Sequence, residues 1–309
     1  MNRNDAEKLM LLPVVGKLFF EPAYFVYKYF VEYRPWLSDR RAVERLFERE
    51  MGYRPDLDDP KTFNEKIQWI KLHDRCPQKV ICADKFRSRE FVAERAGKEY
   101  TIPCLMVTED PEDITVDKLP DQPCVIKTNH DQGTVFIVKD KAKADLGEVR
   151  GRLRIALRRN LYHAKREWHY GEVPRRIVVE PLLVSDDGND LRDYRAYCFN
   201  GWPEIIQVES DRFSGHKRNI YKPDWRRIEV EYGYPVGEWE PAPACLDELL
   251  DISRKLAAPF LFVRVDFYIV NGRPKVGELT FLPASGLKPF SPSEFDRELG
   301  DMLDLPEAT

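Results

Sequence analysis

Apolar and polar residues alternate most regularly over residues 261–287, LFVRVDFYIVNGRPKVGELTFLPASGL. Val263, Val265, Phe267 and Ile269 alternate with Arg264, Asp266 and Tyr268; Gly277, Leu279 and Phe281 alternate with Val276, Glu278 and Thr280. A period of two marks half-buried strands. A two-residue type I′ turn at Asn271-Gly272 would pair Val270 with Arg273. It would also set Leu279 and Phe281 on the face of Arg264 and Asp266, splitting the apolar side. A three-residue loop with Gly272 left-handed keeps that side whole and predicts Arg264, Asp266, Glu278 and Thr280 on one face. Adjacent carboxylates repel unless one is protonated or a cation lies between them. Hard oxygen ligands beside an arginine suit Mg2+ bridging to phosphate; a solvated polar face is the alternative.

The same reading places the remaining elements. Residues 37–75 read as helices, with a start at Asp59-Pro60 and Phe63, Ile67 and Ile70 at helical spacing. ADKFRSREFVAERAGKEYTIPC, from Asp84, predicts an amphipathic helix, a stop at Gly97 and an extended Ile102-Pro103. PCVIKTNHDQG is a short apolar strand ending in Lys127, followed by a polar loop with Asn129, His130, Gln132 and Gly133. A lysine ending a buried strand needs an anion, which makes Lys127 a phosphate-ligand candidate. Residues 139–168 read as largely helical and basic, either a solvated face or a surface for an acidic glycan. IVVEPLL, residues 177–183, is the next buried strand. DYRAYCFNGWPEIIQVES reads as a hairpin around Asn200-Gly201, with Asp193 at its start. Arg212, Lys217 and Arg218 follow in a glycine-containing stretch, cations that suit a phosphate clamp or a surface loop. A helix over 246–257 leads into the final hairpin, and Pro283, Ser285 and Gly286 form a loop able to present backbone donors.

Composition narrows the classes. The 309 residues suffice for one large or two modest domains. A formal charge of −4 gives no bulk attraction to nucleic acid. Cys76, Cys82, Cys104, Cys124, Cys198 and Cys245 show no CxxC or zinc spacing and read as reduced thiols of a cytoplasmic protein. The five histidines form no metal-binding motif. The N-terminus is apolar and aromatic, but Pro13, Lys17, Glu21, Pro22 and Lys28 interrupt it before the roughly 18–20 clean residues a span needs. Residues 9–36 therefore read as a helix on a membrane surface or a partner, or as one packed on its own domain.

RVDF followed by a turn and GELTFLPASG resembles the last motif of the ATP-grasp superfamily, in which an R-x-D strand precedes E-x-N and a Pro/Gly loop. The resemblance implies Mg2+ held by Asp266 and Glu278, with Thr280 where the family usually has Asn, and Arg264 steadying the reacting carboxylate. It extends upstream, implying that Lys85 and Lys127 reach ATP phosphate and that the loop at Gly133 closes over it. Arg89 is a weaker phosphate candidate than Lys85 and reads better as a solvated helix position. Glu180, the Pro181 carbonyl and the Leu183 N–H would grip adenine, and Asp193 would meet the ribose. TFNEKIQWIKLHD resembles the leader of the TupA-like branch, named for teichuronic acid biosynthesis.

The expected fold is α+β, an ATP-grasp fold with two sheet-based lobes clamping nucleotide, preceded by a helical N-terminal region. The expected divisions are residues 1–75, 76–183 and 184–309. The resemblance implies carboxylate activation by ATP and Mg2+ to an acyl phosphate, then attack by an amine. The branch implies cell-surface polysaccharide work on a small-molecule or glycan acceptor. Arg264, Lys217 and Arg212 form the expected catalytic set. A polysaccharide glycosyltransferase, a sugar kinase and a non-catalytic ATP-binding protein stand as alternatives. The expected location is cytoplasmic, with the inner membrane face as a peripheral contact for residues 9–36.

Overall fold

The structure, a computed structural model, describes residues 36–131, 133–185, 191–210 and 215–307. The expected surface helix before Trp36, together with Gln132 and Arg212, lies outside the described residues. Among the described residues no helix is long and apolar enough to cross a membrane. Two compact units are present: residues 36–43 with Cys104–Leu182, and Glu44–Pro103 with residues 183–307.

In chain order the helices that matter for the site are α1 (Phe63–His73), α2 (Ser88–Arg95), α3 (Leu146–Leu157), α4 (Leu246–Ala257) and α5 (Glu294–Asp301). The strands are β1 (Met106–Thr108), β2 (Cys124–Thr128), β3 (Val135–Val138), β4 (Ile177–Pro181), β5 (Asp193–Phe199), β6 (Trp202–Ser210), β7 (Lys217–Tyr221), β8 (Arg227–Ile228), β9 (Phe262–Val270) and β10 (Arg273–Thr280).

The first unit holds an antiparallel sheet in the order β1-β4-β2-β3. Alternation along β2 sends Cys124, Ile126 and Thr128 inward, where Ile126 joins Ile177, Val179, Val149 and Leu153 in a core under α3. The intervening Val125 and Lys127 take the other face. Asp145 caps α3 by accepting from the Glu148 amide at 2.9 Å. The segment 139–168 is helical over Leu146–Leu157 and Leu161–Lys165, and Trp168 opens a further short helix, Trp168–Glu172. The adenine-candidate strand stops at Pro181, two residues before the expected end.

The second unit is built on an antiparallel sheet ordered β10-β9-β5-β6-β7-β8. The amphipathic α4 covers one face, with Leu250 against Ile206, Val208 and Tyr221. On the other face Phe63 of α1 meets Phe199 and Phe262 at ring distances of 5.7 and 5.0 Å. Helix α1 begins at Phe63 rather than at Asp59-Pro60, because Thr62 and Glu65 form a capping box. Residues 44–103 group with residues 183–307 in this unit. Asn64 bonds Asp296 of α5 at 2.9 and 3.0 Å, and Gln68 and Lys71 bond the Ser285 carbonyl, both at 3.0 Å, which folds the leader into the C-terminal part of the unit.

The β9–β10 turn corrects the expectation. Val270 pairs with Arg273 across the two-residue Asn271-Gly272 turn, with φ of 52° and 68°, left-handed values that Asn and Gly tolerate best. The apolar face is nevertheless kept whole by a β-bulge between Val276 and Glu278, which supplies the one-residue shift assigned to a longer loop. Asp266 then pairs with Glu278, and Arg264 with Thr280.

Candidate functional site

Because β5, β9 and β10 are neighbours, their polar positions fall side by side. Tyr197 and Arg195 on β5 pair with Arg264 and Asp266 on β9, which pair with Thr280 and Glu278 on β10. Arg264 grips Asp266 bidentately, Nε donating to Oδ1 at 2.6 Å and Nη2 to Oδ2 at 2.5 Å. Nη2 also donates to the Thr280 hydroxyl at 3.2 Å and lies 3.7 Å from Glu278. Arg195 Nε stands 3.6 Å from Asp266, and Lys85 Nζ stands 3.6 Å from Glu278. Arg264, Asp266 and Thr280 are buried, whereas the Glu278 side chain is 37% exposed.

Burial pushes the Asp266 carboxyl up to about 6, against the pull of Arg264 and Arg195. It is therefore mainly ionised at neutral pH. Burial also opposes the charge on Arg264, but Asp266 outweighs it and holds the guanidinium well above its ordinary value. Among the described residues no cluster of three or more His, Cys, Asp or Glu could hold a metal. Two adjacent carboxylates and a hydroxyl are present instead. Mg2+ commonly takes one or two carboxylates and completes its shell with phosphate and water, and each carboxylate oxygen keeps a further lone pair beside the guanidinium. The donor set fits that ion.

A second buried group continues along the sheet. Glu209 on β6 is wholly buried among Arg195 at 2.7 Å, Arg218 at 2.6 Å and the His216 ring, and accepts from Gln207 at 2.5 Å. Burial raises its carboxyl, yet Arg195 and Arg218 outweigh this and bring it below the ordinary value. The sequence reading missed Arg195, Glu209 and His216. The signal was present in part: Arg195 and Glu209 interrupt two apolar strands, and the pairing after the Asn200-Gly201 turn, shifted by a bulge between Tyr197 and Cys198, sets them two rungs apart. Asp193 starts β5, buried, with its carboxylate 3.7 Å from Arg195. Lys217 opens β7 opposite Ser210 and is half-buried.

The first unit carries the other candidates. Lys127 Nζ meets Glu180 at 2.6 Å, both side chains largely buried. The burial argument that made Lys127 a phosphate ligand is thus answered inside the protein, by a carboxylate two strand positions away across β2 and β4. Glu180 faces Val125, and Pro181 ends β4 opposite Cys124; Leu183 belongs to the second unit. Gly133, at φ 89°, follows a loop in which Asp131 accepts from the Thr128 and Thr134 hydroxyls, the latter at 2.7 Å. Arg89, on α2, donates to the carbonyls of Ile102, Lys85 and Phe86, which anchors the segment carrying Lys85.

A model of the TupA-like ATP-grasp family matches residues 65–304. The chain belongs to the TupA-like ATP-grasp family. This match spans all the hairpin residues above and both lysine candidates. Among solved structures, the ATP-grasp ligase PsnB complexed with a minimal precursor is similar at 16% identity and TM-score 0.38, over 66% of this chain and 53% of that one. D-alanine–D-alanine ligase from Bacillus anthracis complexed with ATP is similar at 20% identity and TM-score 0.42, over 72% and 63%. D-alanine–D-alanine ligase from Helicobacter pylori is similar at 12% identity and TM-score 0.43, over 81% and 68%. The matched part is a little over half of PsnB and under two thirds of the Bacillus anthracis ligase. Comparison with curated proteins finds none that matches.

Proposed function

We propose that this TupA-like ATP-grasp chain is an ATP- and Mg2+-dependent ligase. It would activate a carboxylate as an acyl phosphate and pass it to an amine, on an acceptor used in cell-surface polysaccharide synthesis such as a uronic acid. The observation that carries the reading is the gathering of Arg264, Asp266, Glu278 and Thr280 on one sheet face, with Arg195 and Lys85 beside them, in a chain of this family. In the reaction, a carboxylate oxygen attacks the γ-phosphorus and ADP leaves; the amine then attacks the acyl carbon and phosphate leaves. No protein nucleophile is needed.

Asp266, Glu278 and Thr280 would hold Mg2+, which when bound neutralises phosphate charge. Arg264 steadies the reacting carboxylate and the transferring phosphoryl group, its orientation fixed by the bidentate contact with Asp266. Lys217 and Arg212 are proposed as further cations for the same charge. Lys85, Lys127 and Gly133 are assigned to the phosphates, Glu180, Pro181 and Leu183 to adenine, and Asp193 to ribose. The free thiols and the use of ATP support a cytoplasmic location.

The test is isotope transfer. Uronic acids labelled with 18O in the carboxylate are incubated with ATP, Mg2+ and an amine panel. The ligase reading expects amine-dependent product with one 18O in the released phosphate. ADP formed without an amine, with label retained in a phosphorylated sugar, would establish a kinase instead.

A further inference from the structure

Lys288 lies beyond the groups assigned above, and the fold builds a place for its ammonium. The chain bridges back on itself where Glu231 and Ser291 exchange backbone hydrogen bonds of 2.8 and 2.9 Å. Next to that bridge Tyr232 stacks on Phe290 at 4.3 Å, and the Arg218 amide donates to the Pro235 carbonyl at 3.0 Å. These contacts fix residues 232–235. Gly233, at φ 76°, is the slot: a Cβ there would fall 1.8 Å from Lys288 Cε and 1.9 Å from Nζ. A side chain there would displace the lysine tip from this path, and the left-handed backbone itself favours glycine.

The slot delivers Nζ to the Tyr234 ring, 5.1 Å from its centroid. The same ring stacks on His216 at 3.7 Å and lies 4.9 Å from the Arg218 guanidinium. Arg218 and His216 are both bound to Glu209, whose carboxylate is also shared with Arg195 and Gln207. Among the described residues the Lys288 ammonium makes no hydrogen bond or ion pair. Burial, helped by Arg218, lowers its pKa. The ammonium is thus held by aromatic and glycine contacts, while the nearby Glu209 carboxylate is already engaged by Arg195, Arg218 and His216.

We propose that Lys288, aligned by Gly233 and Tyr234 and flanked by His216 and Arg218, binds an anionic group, carboxylate or phosphate, on the sugar acceptor. The acceptor role rests on the ligase reading; the anion site does not.

Calorimetry on the full chain without nucleotide tests it, with D-glucuronate, glucose 1-phosphate and glucose as probes, on wild type, Lys288→Met and Gly233→Ala. The proposal expects one or both anionic sugars to bind and glucose not to. The stronger anion identifies carboxylate or phosphate as the ligand. Lys288→Met keeps the stem and removes the charge, and should weaken that binding by about tenfold or more. Gly233→Ala, which fills the slot, should weaken it comparably. Equal binding by wild type and Lys288→Met, equal binding of glucose, or no binding of either anion would overturn the proposal. A parallel Mg2+·ATP titration reports on the ligase reading separately. Failure there with intact Lys288-dependent anion binding removes the acceptor role alone. A Lys288→Met protein that loses Mg2+·ATP and glucuronate together, with its circular dichroism unchanged, would move Lys288 into the nucleotide site and overturn the assignment.

Discussion

Glu209 is the residue on which the charged face most depends. It is wholly buried and engages Arg195, Arg218 and His216 at once. Breaking a buried pair by removing one partner leaves uncompensated charge. Glu209→Gln should therefore cost about 3–5 kcal/mol in urea denaturation. The pH dependence follows from the sign of its shift. The folded carboxyl lies below its unfolded value of 4.5, so its contribution is complete above that value and is lost as pH falls through the lower folded one. Wild type should lose stability below pH ~4.5 more steeply than Glu209→Gln. Parallel acid-denaturation curves would contradict the arrangement. Gly277 acts locally in the same way. A Cβ there would lie 2.9 Å from the Tyr268 ring, so Gly277→Ala should cost about 1–3 kcal/mol, read as a lower urea midpoint.

Among the elements, the β9–β10 hairpin shows what the sequence disclosed and what it hid. The alternation of apolar and charged positions correctly put Arg264, Asp266, Glu278 and Thr280 on one face, because a buried side constrains register strongly. It misassigned the turn, because a bulge at Gly277 and a longer loop shift the register identically and only the observed pairing distinguishes them. Helix α1 was legible as a helix, but its purpose was not. Its partners lie more than 200 residues away in the chain, where Lys71 donates to the Ser285 carbonyl and hydroxyl, both at 3.0 Å. Ala284 and Ser285 have φ of 48° and 60°, values non-glycine residues hold only with support. Lys71→Met should cost about 1–3 kcal/mol and speed amide exchange of Ser285 and Leu287. Unchanged exchange would show that the loop keeps its conformation without the lysine.

For the whole molecule, the order of motifs along the chain disclosed the family, and the match over residues 65–304 agrees. The unit boundaries were less legible, since residues 44–103 join the C-terminal unit through contacts remote in sequence. Lys127 was placed correctly at a strand end, but its carboxylate partner was not foreseen. Glu180 lies 53 positions further on, and its approach follows only from the β2–β4 pairing.

The central claim is that the chain binds ATP through Mg2+. Calorimetry with ATP, ADP and a UDP-sugar, with and without Mg2+, on wild type, Lys127→Ala and Asp266→Ala tests it most directly. The account predicts Mg2+-dependent ATP binding that each substitution weakens by about tenfold or more. Binding of the UDP-sugar without ATP, or ATP binding indifferent to both substitutions, would contradict it.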